Sequence, residues 1–185
     1  MALLTIPDEG REIRDRIEIE QFLSTRGIRF ECWNSASPLG RDASAEDVLH
    51  AYEADIARLK RAAGYQACDV ISVSAETPNL EALRAKFLTE HTHSEDEVRY
   101  FVEGSGLFWF HLEDTPVFRV HCEAGDLIAV PSNTRHWFDF GPVAHVKCIR
   151  LFTDPAGWVA NYTESGIDAR YNPVYRSVAG SAIGA

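Results

Sequence analysis

No two cysteines in this chain fall close enough together to make a CxxC pair. Cys32, Cys68, Cys122 and Cys148 are scattered through the 185 residues. That excludes zinc-ribbon and thioredoxin-like sites and leaves buried, reduced thiols as the expected state. Basic residues are also scarce: 18 Lys and Arg against 28 Asp and Glu give a formal net charge of −10. Nucleic acids are bound by clustered cations, so no nucleic-acid partner is expected. An anionic substrate would have to meet a local cation rather than the overall field. No apolar run is long enough to cross a bilayer, and no membrane partner is expected. The opening MALLTIPDEG has no basic n-region, and its apolar stretch is too short for a signal peptide, which predicts a cytoplasmic protein. Internal repeats, low-complexity tracts and Pro/Gly-rich linkers are missing too. One domain spanning residues 1–185, with a real hydrophobic core, is therefore expected.

The first half of the chain reads as mixed helix and strand. A short helix is predicted around IEIEQFLSTRG, then an alternating strand, IRFECW, with Ile28, Phe30 and Cys32 on one face. Residues 45–63 predict one helix capped by Ser44 and stopped by Gly64, with Val48, Leu49, Tyr52, Ile56 and Leu59 as its apolar stripe. DVISVS, residues 69–74, predicts a strand. Thr77-Pro78 opens a second helix with Leu80, Leu83 and Phe87 as its buried face. After Phe87 the runs VRYFVEG, GLFWFHLED, VFRVHCEAGD, LIAVPSN, HWFDFG and HVKCIRLF follow one another. Asp114–Pro116, Gly125-Asp126, Pro131–Asn133 and Gly141-Pro142 punctuate them, a spacing that predicts a sandwich or barrel. Residues 155–185 hold an aromatic patch from Trp158 to Tyr162 and then irregular sequence. The final SVAGSAIGA is expected to be mobile.

Residues 90–104, EHTHSEDEVRYFVEG, carry the chemistry. Alone, this could be a hydrophilic, acid-rich turn. Yet His91, His93, Glu97 and Arg99 share one parity, so an extended backbone projects them to one side, with a turn at Ser94–Asp96 adjusting the reach of Glu97. A third imidazole comes from GDLIAVPSNTRHWFDF, where Pro131-Ser132-Asn133 shapes a tight hairpin and His136 opens the next strand. Facing strands of a barrel can bring His136 to the other three. His50, His111, His121 and His145 lack such a partner pattern and are read as structural or surface histidines.

The joint pattern resembles the two cupin motifs, with Asn133 where the second motif usually has glycine and Phe140 where it usually ends in asparagine. FLTEHTHSEDEVRYFVEGSGLF and AVPSNTRHWFD are more closely similar to the acireductone dioxygenase family, metal enzymes of methionine salvage. The resemblance covers most of the chain and implies a mainly β fold with flanking helices, a cupin-type double-stranded β-helix (jelly-roll) barrel. Its core would lie at about residues 69–152, with N-terminal α/β elements at 1–89 and a C-terminal extension at 153–185.

Three imidazoles and one carboxylate suit iron, nickel, cobalt or manganese, and no thiolate argues for structural zinc. The resemblance implies one Fe(2+) or Ni(2+) per chain. Its substrates would be O2 and the acireductone 1,2-dihydroxy-5-(methylthio)pent-1-en-3-one, chelated through its oxygens. Iron would give formate and 4-methylthio-2-oxobutanoate; nickel would give formate, CO and 3-(methylthio)propanoate. Arg99 is the expected cation favouring the substrate dianion, although from its neighbours alone it could equally be a surface ion pair. Phe87 and Phe138 suit core packing or an apolar wall for the thioether tail. The resemblance assigns metal loading to Glu90 and a conformational relay to Asp96, both of which read from the residues as solvated acids. Arg150 could be a second cation at the site. A monomer is expected. The rival readings are a cupin dioxygenase or isomerase for another small substrate, and a non-catalytic cupin binding module.

Overall fold

The β-rich second half folds as two antiparallel sheets that share one long strand. The computed structural model describes residues 2–33, 39–40, 42–154 and 159–171. In chain order the strands are β1 (Leu3–Ile6), β2 (Arg11–Ile13), β3 (Arg29–Cys32), β4 (Ala67–Ser74), β5 (His91–Thr92), β6 (Glu97–Phe110), β7 (Phe118–Glu123), β8 (Asp126–Val130), β9 (His136–Asp139), β10 (His145–Phe152) and β11 (Asn161–Tyr162). The helices are α1 (Arg16–Ser24), α2 (Ala45–Ala51), α3 (Glu53–Ala63), α4 (Leu80–Leu88) and α5 (Asp168–Tyr171).

VRYFVEG and GLFWFHLED are one strand, not two. The first half of β6 pairs with β8 and β10, its second half with β7 and β9. It changes sheets near Gly104, which has φ of +72°; a Cβ there would lie 1.8 Å from the His145 carbonyl oxygen. Only glycine can take that conformation with the neighbouring backbone so close. One sheet runs β11-β5-β9-β6-β7-β1-β2; the other joins β4, β10, β6, β8 and β3. The mainly β cupin fold is therefore present, but the ladder is open, a jelly-roll sandwich rather than a closed barrel. Its strands also begin well before residue 69, because β1 pairs with β7 and β3 with β8.

Three local expectations change. The helix over 45–63 breaks at Tyr52, whose ring packs 4.8 Å from Tyr100 and whose hydroxyl accepts from the Tyr100 hydroxyl at 3.2 Å. Its Ser44 cap is present as a full capping box with Asp47, and Gly64 ends it in the left-handed region. The second helix starts at Leu80, after Asn79. Thr77 instead accepts from the Ser74 N–H to close the turn after β4. Leu80, Leu83 and Phe87 are only half-buried, and the fully buried residue of α4 is Arg84, which donates to the Gly141 carbonyl at 2.6 Å. Pro131–Asn133 is also not a hairpin. It carries the chain from β8 in one sheet to β9 in the other. Trp158 and the C-terminal SVAGSAIGA lie outside the described residues.

The cysteines are free; Cys122 and Cys148 are fully buried, Cys32 and Cys68 half-buried. Burial pushes the Cys148 thiol up to about 12, so it is inert at neutral pH.

Candidate metal centre

His91 and His136 are direct cross-strand partners on β5 and β9. His93 follows in the loop after β5, and Glu97 opens β6 from the other sheet. The four side chains are buried between the sheets and offer ligand atoms that all lie within 4.8 Å of one another.

The second nitrogen of each ring shows what the cluster is for. His91 Nδ1 lies 2.7 Å from the Thr89 carbonyl, His136 Nδ1 2.8 Å from that of Thr134, and His93 Nδ1 3.2 Å from that of Val159. A carbonyl oxygen only accepts, so each Nδ1 carries the ring proton and each Nε2 presents a lone pair. His93 Nε2 and His136 Nε2 then stand 3.0 and 3.2 Å from Glu97 Oε2. Lone pairs facing a carboxylate in a dry interior repel unless a cation lies among them. Backbone acceptors behind the imidazoles are the usual support of a metal site. The residues present therefore fit a divalent metal with nitrogen and oxygen ligands.

Ionisation agrees. Burial, and then the neighbouring His136, lowers the His91 pKa to about 4, leaving that ring neutral and available at pH 7. Burial opposes ionisation of Glu97, but the Arg99 guanidinium beside it outweighs that and holds the carboxyl well below its ordinary range. Arg99 Nε lies 2.7 Å from Glu97 Oε1, so its ion pair is buried at the site and not at the surface. The Arg99 guanidinium is walled by the rings of Phe138, Phe87 and Phe108 at 4.6, 5.4 and 5.6 Å. Phe87 and Phe138 thus pack in the core and border this cation at once.

The two acids read as solvated are not. Glu90 is fully buried and accepts from His111 Nδ1 at 2.6 Å, Ser165 Oγ at 2.6 Å and the Thr163 hydroxyl. Burial alone would raise its pKa, but these donors hold it below the ordinary value. Asp96 is half-buried and accepts from the Ser132 N–H at 3.0 Å and the Tyr65 hydroxyl at 3.3 Å, tying the loop before β6 to the β8–β9 turn. Arg150 pairs with Asp69 at 2.8 and 2.5 Å and lies opposite Arg99 in the ladder, next to the site rather than among the donors. Among the described residues, His50, His111, His121 and His145 stay outside the donor cluster.

The profile of the ARD/ARD' family matches residues 8–160. The chain belongs to the acireductone dioxygenase family. Acireductone dioxygenases from Picosynechococcus sp. and Aquifex aeolicus are 48% and 49% identical to it. The first alignment covers 94% of this chain and 99% of the relative, the second 91% of each. The solved acireductone dioxygenase from Bacillus anthracis, with a cadmium ion in its active centre, superposes with a TM-score of 0.81 at 37% identity, over 88% of this chain and 98% of that one. A family member with a metal in its active centre thus shares this fold over nearly its whole length.

Proposed function

We propose that this chain cleaves 1,2-dihydroxy-5-(methylthio)pent-1-en-3-one with O2, using one Fe(2+) or Ni(2+) held by His91, His93, Glu97 and His136. The observation that carries the reading is the convergence of imidazole lone pairs on a buried carboxylate, in a chain about half identical to acireductone dioxygenases. The setting would be methionine salvage in the cytoplasm, with the chain acting as a monomer.

The metal, when bound, supplies a Lewis acid that stabilises negative charge on the enediolate. The chain's own groups do the rest. Arg99 brings a permanent cation to the buried cluster, where it would favour ionisation of the enediol and hold the resulting charge. Phe87 and Phe138 exclude water around that cation and offer an apolar wall to the thioether tail. Asp96 fixes the loop between His93 and Glu97, and so the reach of both ligands. Arg150, braced by Asp69, adds positive potential at the edge of the site.

The test is to load the metal-free protein with iron or nickel, mix it anaerobically with the acireductone, and then admit O2. The iron form should release formate and 4-methylthio-2-oxobutanoate. The nickel form should release formate, CO and 3-(methylthio)propanoate. Stoichiometric metal without turnover would move the reading to another cupin substrate.

A further inference from the structure

Two of the three imidazoles find their Nδ1 acceptor locally, two residues back in the chain, at Thr89 and Thr134. His93 does not. Its acceptor is the Val159 carbonyl, 66 residues away, on the segment that leads into β11 beside β5. That segment pairs with β5 through β11, with Asn161 opposite Thr92 and Tyr162 opposite His91. The Tyr162 ring stands 6.1 Å from the His91 ring.

Something must hold this strap down, since two ladder pairs are a weak tether. Its far end is anchored by Tyr171, whose ring packs tilted 5.5 Å from Trp109 and whose hydroxyl donates to Asp8 at 2.7 Å. Its middle is anchored by Glu90. The buried carboxylate accepts from the hydroxyls of Thr163 and Ser165, and the Glu90 carbonyl accepts from the Thr163 N–H at 3.2 Å. His111 occupies the other carboxylate oxygen. Both oxygens are thus engaged, and Glu90 does not join the donor cluster although it adjoins His91. A buried carboxylate is tolerated only with such donors, and charge-assisted hydrogen bonds are strong enough to fix a loop.

We infer that Glu90 is a positioning residue: by gripping Thr163 and Ser165 it holds residues 159–165 alongside β5, and the strap's Val159 carbonyl then sets the tautomer and orientation of His93. The inference rests on the metal-site reading above and adds the C-terminal segment to that site. Coupling is reciprocal, so strap docking tightens metal binding and metal tightens the strap.

The test combines Thr163→Val with Ser165→Ala in the full chain and follows nickel(II) transfer to a chelator. The double variant should lose nickel affinity about 10- to 100-fold, the range for removing a group that supports a ligand. Thr163→Ser should retain wild-type affinity, and thermal unfolding of the metal-free proteins separates this effect from loss of fold. In the wild type, nickel should slow amide hydrogen exchange of residues 161–163, a readout that needs no variant. Unchanged nickel release in a folded double variant, or exchange indifferent to nickel, would overturn the inference. A wild-type chain that takes up no nickel would instead sink the metal site itself, and the strap's role with it.

Discussion

The Arg99 guanidinium carbon lies 4.6 Å from the centre of the Phe138 ring, and Arg99 Nε lies 2.7 Å from Glu97 Oε1. This one side chain therefore faces both a carboxylate of the donor cluster and an aromatic wall. Arg99→Ala should slow turnover about 100-fold, the scale for deleting one preorganised electrostatic partner. The loss should shrink as pH rises and the enediol ionises unaided. A pH-independent loss in steady-state rates would assign Arg99 to positioning instead. The same variant frees Glu97 of its main electrostatic support, so its metal binding should fail at a higher pH than in the wild type.

Gly106 is the floor beneath Phe138. A Cβ there would lie 2.2 Å from the ring's tip. Gly106→Ala should cost about 1–3 kcal/mol, the usual penalty for overfilling a packed core, and displace the Phe138 ring that borders Arg99. Denaturant unfolding measures the first effect and substrate KM the second. A fully stable variant with unchanged KM would contradict this packing.

His93→Ala should abolish stoichiometric metal binding yet leave the sandwich folded, because the ring lies outside the main hydrophobic clusters. Metal content and circular dichroism of one sample test both halves. Full retention of metal would remove His93 from the ligand set.

Acid should destabilise the metal-free protein. His91 has its pKa lowered to about 4 from an ordinary 6.5. Between those values the unfolded chain binds a proton that the folded chain does not, so stability rises with pH across that window. Glu97 acts in the same direction lower down: its depressed pKa gives stability that is present above its ordinary 4.5 and lost as pH falls through the folded value. The His91 contribution is on the order of 3 kcal/mol at most. Urea midpoints of the metal-free protein at pH 4 and pH 7 should differ accordingly, and equal midpoints would contradict the burial argument.

What could be read from the sequence follows from where the information lies. His91, His93 and Glu97 sit within one short stretch, so their nearness was legible, but not through strand parity. His93 lies in the loop after β5 and Glu97 opens β6 in the other sheet, while His136 comes from the strand hydrogen-bonded beside His91 rather than from one facing it. Capping at Ser44 and Gly64 is equally local, and both are present. The grip on Glu90 was invisible because its donors are hydroxyls at Thr163 and Ser165, in an irregular stretch with no periodic signal, and the histidine that completes it, His111, looks like any strand residue. The β1–β2 hairpin is too short to stand out, and its place is set by pairing with β7. Tyr52 fits a helical stripe, so the break there is dictated by its contact with Tyr100 and not by propensity.

Elemental analysis of protein purified without added metal tests the central claim most directly. About one equivalent of iron or nickel per chain, absent from His93→Ala, is the predicted result. No metal in the wild type, and none taken up on reconstitution, would mean that the buried cluster of His91, His93, Glu97 and His136 is held together by protons alone and that the proposed chemistry is wrong.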